Sequence, residues 1–198
     1  MQHQAEREEI VDAVADLFAC GVIPPSRQAT FSVRLPDGDI LITSGESSHG
    51  SPAAQFGLLA ADGTLKDGSS SALSASMIPI HLAIFAAQPG FDAIAHTYPP
   101  FTTAFAVADR PLVSRYEPLL RAGQRNEISV VPWSPEGGDT AESIRKIVAS
   151  EPGNRATLLA NNGIIAYHST LHELVQLLIA IEESAALELR AAQLGGVR

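Results

Sequence analysis

Cysteine is almost missing from this chain. Cys20 stands alone, so no internal disulfide can form, and a reducing compartment is the expectation. Its neighbours are apolar at helical spacing, which predicts a small buried residue there. Basic residues are also scarce: 13 Lys and Arg oppose 22 Asp and Glu, giving a formal net charge of -9 and a pI near 5.0. Nucleic acid and anionic membrane surfaces both require a basic face, so neither is a predicted partner. No apolar run approaches the roughly 20 residues of a membrane-spanning helix, and the polar start MQHQAEREE lacks a secretory pattern. These absences predict a soluble, cytoplasmic protein. What is abundant is aliphatic side chain: hydrophobic residues make up 45% of 198 positions, enough for one substantial core, and a single domain over residues 1–198 is expected.

The apolar pattern alternates between helical and strand periods. Ile10, Val11, Val14, Leu17 and Phe18 recur at helical spacing before Gly21 and Pro24-Pro25, predicting a helix over 5–20. Phe31 to Leu35 and Ile40 to Thr43 flank Pro36-Asp37-Gly38-Asp39, turn chemistry that predicts an antiparallel hairpin. Further strands are predicted over 56–60, 128–132 and 156–160, and helices over 76–87 and 139–150. Pro79 is compatible with the first of these helices because it falls in the opening turn. Thr170 and Glu173 form a capping box for a closing helix that runs to about residue 192. Gly68-Ser69-Ser70-Ser71 is a small, polar loop. From Asp109 to Gln124 the pattern is weak, and Arg110, Arg115, Tyr116 and Arg121 read as a solvated basic stretch.

One segment carries chemistry. Phe91 to Phe101, FDAIAHTYPPF, is an apolar strand that ends in His96-Thr97-Tyr98 and is stopped by Pro99-Pro100. A strand period of 2 turns residues 96 and 98 to the same side, so an imidazole and a phenol leave its carboxyl end together. Sites in α/β folds are built at such ends.

Three further blocks accompany it. They are Phe31-Ser32-Val33-Arg34 with Asp37-Gly38 and Ile40-Leu41-Ile42-Thr43-Ser44-Gly45, then Ser74-Ala75-Ser76-Met77 with His81, and finally Leu158-Leu159-Ala160-Asn161-Asn162-Gly163. In this order, with Ala93-Ile94-Ala95-His96-Thr97-Tyr98-Pro99 as the third block, the sequence resembles the class II aldolase/adducin family over nearly its whole length. The resemblance implies an α/β fold, a three-layer α/β/α sandwich around a central, largely antiparallel sheet. It also implies a homotetramer with pockets at subunit interfaces and a small-molecule substrate. Aldolases of the family hold a divalent metal, usually zinc, with three histidines and use a glutamate as acid/base. Carried over, the metal positions fall on His96, Tyr98 and Asn162, and the glutamate position on Met77. Only one imidazole survives. A phenol and a neutral carboxamide are poor zinc donors, and a thioether moves no protons. The expectation is therefore no cofactor; the alternative is a divalent metal such as zinc held weakly through His96. His81 falls on the family's supporting histidine.

Two functions stand open. The first is a diverged lyase (decarboxylase, dehydratase or aldol-type) or isomerase acting on a small oxygenated acid without the three-histidine metal. In it His96, Tyr98 and His49 carry acid/base chemistry, and Arg34, Ser44, Gly45, Ser76 and Asn162 bind substrate. Arg34 has a structural alternative, a salt bridge across its hairpin. His49 has one as an exposed loop residue, and His168 and His172 read as surface or capping groups at the last helix. The second function is an inactive, adducin-like member serving binding or assembly, which Met77 favours.

Overall fold

The structure, a computed structural model, describes residues 3–25, 29–43, 56–68, 75–113 and 115–195. Eight strands form one sheet: β1 (Ala29–Arg34), β2 (Ile40–Thr43), β3 (Phe56–Leu59), β4 (Leu65–Asp67), β5 (Ala93–Thr97), β6 (Val130–Val131), β7 (Ala156–Leu159) and β8 (Ile164–His168). Their order is β4-β3-β2-β1-β5-β8-β7-β6, and every pairing is antiparallel except β6 with β7. Six helices accompany them: α1 (Gln4–Ala19), α2 (Met77–Ala87), α3 (Pro100–Val107), α4 (Glu117–Arg121), α5 (Gly138–Ser150) and α6 (Leu171–Gln193).

The layers follow from the pleat. Along β5, Ala93 and Ala95 pack into one apolar cluster with Ile10 and Leu17 of α1, Ala106 of α3 and Leu174 to Ala185 of α6. Ile94 turns the other way, into a second cluster with Ile80 and Ile84 of α2 and Ile144 and Val148 of α5. β2 and β8 divide in the same manner, Leu41, Ile164 and Ala166 on one face and Ile40, Ile42, Ile165 and Tyr167 on the other. Both faces of the sheet are thus covered by helices, which gives the three-layer α/β/α sandwich. No helix among the described residues is long and apolar enough to cross a membrane.

Several elements depart from the sequence patterns. Only Val130–Val131 is strand in the predicted 128–132 segment, because Ile128 pairs with Leu112 as an isolated bridge. β8 and α3 carried no recognised pattern: β8 is buried on both faces and so lacks alternation, and α3 begins directly at Pro100. Pro at the first helical position has no N–H to lose there, so the proline pair that ends the strand also starts the helix. Cys20 is exposed at the end of α1 rather than buried, since the apolar stripe of that helix runs through Ile10, Ala13 and Leu17. The capping box forms as predicted, Thr170 Oγ1 accepting from the Glu173 backbone N–H at 3.2 Å.

Candidate functional site

The strand β5 is central, hydrogen-bonded to β1 on one side and β8 on the other, and places Thr30 opposite His96 and Ile165 opposite His96 in the two registers. His96 lies two residues beyond Ile94 and therefore on the sheet face covered by α2 and α5. Next to it the β7–β8 hairpin turns through Ala160-Asn161-Asn162-Gly163, closed by Asn162 N–H to Leu159 O at 2.8 Å and Leu159 N–H to Gly163 O at 2.9 Å. Gly163 is required: its φ is +72°, and a Cβ there would lie 2.3 Å from the Thr97 carbonyl oxygen and 2.9 Å from Tyr98. That close approach delivers Asn162 to the end of β5.

Three sequence-selected residues meet there. His96 Nε2 is 2.8 Å from the Asn162 carbonyl oxygen, and Tyr98 donates its hydroxyl to Asn162 Oδ1 at 2.7 Å. The two rings touch edge to face with centroids 4.9 Å apart. A carbonyl only accepts, so His96 carries its hydrogen on Nε2 and its lone pair on Nδ1. Burial lowers the His96 pKa to about 4, partly offset by the Asn162 carbonyl. The ring is neutral at pH 7. Burial raises the Tyr98 pKa, so the phenol keeps its proton and acts as a donor.

Behind this group sits His81 of α2, fully buried, with Nδ1 2.6 Å from Ser32 Oγ of β1 and Nε2 without a partner among the described residues. Its pKa is lowered to about 3, first by burial and then by the neighbouring His96. Met77 opens α2 and is buried in the apolar cluster that also holds Ile94 and Ile165. Its thioether adds apolar volume there. Ser76 precedes it at the turn into α2, half-buried, its carbonyl packed against Gly137.

Arg34, expected to bind substrate, is placed apart from the His96–Asn162–Tyr98 group. This residue lies at the far end of β1 from Thr30, where Nη2 donates to the carbonyls of Phe85 at 3.0 Å and Phe91 at 2.8 Å, and Nε is 3.2 Å from Asp92 Oδ1. Its guanidinium also covers the Phe85 ring. These partners close the carboxyl end of α2 against the sheet and hold Nη2 on backbone carbonyls. Asp92, which precedes β5, replaces the cross-hairpin partner. Ser44, Gly45 and His49 lie outside the described residues.

The donor set does not fit a three-imidazole zinc site. The Nε2 hydrogen of His96 faces a carbonyl, the Tyr98 hydroxyl is committed to Asn162, and Asn162 offers no imidazole. Among the described residues no group of three His, Cys, Asp or Glu side chains is arranged to hold a metal. The lone-pair bookkeeping, rather than sequence spacing, reveals this, because spacing alone does not say which ring nitrogen is engaged.

Comparisons with known proteins agree with this fold. Residues 8–189 match the Class II Aldolase and Adducin N-terminal domain. A 5-methylthioribulose-1-phosphate/5-deoxyribulose-1-phosphate aldolase of Rhodospirillum rubrum is 34% identical over 114 residues, a match spanning 58% of this chain and 50% of that one, so only about half of this relative's length is covered. A 3-oxo-tetronate 4-phosphate decarboxylase of Escherichia coli strain K12 is 26% identical over 189 residues, 93% of this chain and 86% of the relative. The solved L-fuculose-1-phosphate aldolase of Thermus thermophilus superposes with a TM-score of 0.74 at 24% identity, covering 96% of this chain and 97% of that one, a likeness of fold.

Proposed function

The chain belongs to the class II aldolase/adducin family, and on that premise we propose that it is a lyase that decarboxylates a small 3-oxo acid without the family's three-histidine metal, using His96, Tyr98 and Asn162. The observation that carries this reading is the hydrogen-bonded His96–Asn162–Tyr98 group, a polar constellation at the strand end where an eroded pocket would have filled with apolar side chains. Relatives supply the reaction class: they include aldolases and a decarboxylase.

Chemistry selects decarboxylation among lyase reactions. Aldol cleavage needs a base to remove the hydroxyl proton, and Met77 stands where the family keeps that base. Loss of carbon dioxide from a 3-oxo acid needs none. The bond between the carboxylate carbon and the adjacent carbon breaks, its electron pair moves onto the ketone oxygen as an enolate, and a solvent proton then restores the carbon. What the protein must supply is stabilisation of that oxygen. Tyr98 is a protonated phenol held by Asn162, and exchanging that acceptor for the enolate oxygen aims a neutral O–H donor at the developing charge. Neutral His96 braces the Asn162 turn through its Nε2–H. Ser76, with Ser44, Gly45 and His49 from the segment after β2, would receive the substrate's polar end, and a neighbouring subunit of a homotetramer would close the pocket.

The test is carbon dioxide release from 3-oxo-tetronate 4-phosphate and related 3-oxo acids by protein purified without chelators and analysed for metals. We expect turnover at sub-stoichiometric zinc and iron, and a loss of at least tenfold in kcat for Tyr98→Phe. Near-stoichiometric metal bound through His96, or full activity in Tyr98→Phe, would overturn the reading. A second reading, an inactive member serving binding or assembly, is favoured by Met77 filling the acid/base position; absence of turnover across the panel would select it.

A further inference from the structure

A second group of polar side chains lies at the opposite end of β8. The registers pair Thr97 with Ile164 and Ala93 with His168, so His168 is four residues, about 13 Å, along the strand from the level of the first site. Between α4, the β7 edge and the start of α6 opens a cleft of about 670 Å³ lined by Arg121, Gly123, Arg155, His168 and Glu173 among others.

Arg155 is oriented in an unusual way. Its Nη1 donates to the carbonyls of Pro152 at 2.7 Å and Asn154 at 2.9 Å, and its Cζ lies 5.0 Å from the centroid of the Phe91 ring, which fixes the plane of the guanidinium. Nε is buried without a partner among the described residues, and Nη2 makes no bond to them either. The Nε/Nη2 edge is the fork that grips an oxyanion with two parallel hydrogen bonds. A buried, unmade N–H costs roughly 1–3 kcal/mol, so an empty fork is a feature to be explained rather than passed over.

His168 completes the seat. Ser169 N–H at 2.9 Å and Glu173 Oε2 at 3.0 Å both face Nδ1, which leaves Nε2 as the ring nitrogen turned to the cleft. Gly123 keeps the space open. A Cβ there would be 3.6 Å from both Arg155 Nε and His168 Nε2, which places the two nitrogens around one point, and φ is +94°. The other charges nearby are already engaged: Arg121 pairs with Glu117, Glu183 accepts from Tyr116, and Glu173 accepts from Thr170.

The geometry points to a second ligand site in which Arg155 and His168 bind a small oxyanion, a carboxylate or a phosphate, beside Gly123 and independently of the His96 site. Arg155 Nε and His168 Nε2 flank one point beside Gly123, and the cleft has volume for the rest of a small metabolite.

The decisive measurement is the Arg155 Nε–H signal in a nitrogen–proton NMR spectrum of the intact protein, titrated separately with succinate and with inorganic phosphate. The expected result is a saturable downfield shift with at least one of them, and the tighter of the two identifies the head group. Arg155→Lys keeps the charge but loses the fork, and should weaken that binding about tenfold. His96→Ala should leave it unchanged, which separates this site from the proposed decarboxylase site. An Arg155 signal unmoved by either anion would overturn the proposal, as would equal affinity in Arg155→Lys or loss of binding in His96→Ala. Because the signal is read on the unsubstituted chain, the test stands even if a variant fails to fold.

Discussion

His96 and His81 show how burial overrides the ordinary chemistry of a residue. Both imidazoles are lowered in pKa, to about 4 and about 3, because a charged ring on this packed sheet face has lost its water. The folded protein therefore takes up fewer protons than the unfolded chain between the ordinary histidine value of 6.5 and these lowered values. Stability should fall as pH falls through that window, by at most about 1.4 kcal/mol per pH unit for each histidine, and should be indifferent to these two groups above it. Urea midpoints at pH 7 and pH 5 check this, together with imidazole resonances that should hold their neutral positions at pH 5. Titration of either ring near 6.5 would refute it. Gly163 governs the same place by shape. With φ at +72° and the Thr97 carbonyl oxygen 2.3 Å from any Cβ, Gly163→Ala should cost more than about 1 kcal/mol and displace Asn162 from Tyr98. Urea unfolding measures the first effect and the Tyr98 hydroxyl environment the second.

Among the elements, α3 depends on a side chain far away in sequence. Its first turn has no side-chain cap of its own, and Glu182 of α6 takes that role by accepting from the Phe101 and Thr102 backbone N–H groups at 2.8 Å each and from Thr102 Oγ1 at 2.7 Å. A carboxylate at a helix amino terminus meets three donors and the positive end of the dipole. Glu182→Gln keeps the shape, loses the charge and one acceptor oxygen, and should lower stability by about 2 kcal/mol with the m-value unchanged. A change under about 0.5 kcal/mol would remove Glu182 from this role. The consequence reaches the site, because α3 starts two residues beyond Tyr98 and a loosened first turn frees the end of β5.

For the whole molecule, the fold class was legible through the family resemblance, the helices α1, α2 and α5 through periodicity, α6 through its capping box and the hairpin of β1 with β2 through its turn chemistry. β8 was not: buried on both faces, it shows no alternation to detect. His96, Tyr98 and Asn162 were legible as positions, yet Arg34 was not, since its partners are backbone carbonyls of Phe85, Gln88 and Phe91 that no local pattern announces. The homotetramer proposed above predicts that sedimentation finds four chains together. A monomer at working concentration would leave the proposed lyase without a neighbouring subunit to close its pocket.

The residue types carry what the resemblance implies: a methionine, a tyrosine and an asparagine fall where it would place a base and two zinc imidazoles, and no folding gives a thioether a proton to transfer. Tertiary structure alone decided what the survivors do instead. Only the antiparallel register of β5 and β8, with Gly163 allowing the hairpin against the Thr97 carbonyl, brings Asn162 within hydrogen-bond reach of both His96 and Tyr98. Hydrogen bonds are decided over tenths of an ångström, and chain spacing does not specify distances on that scale.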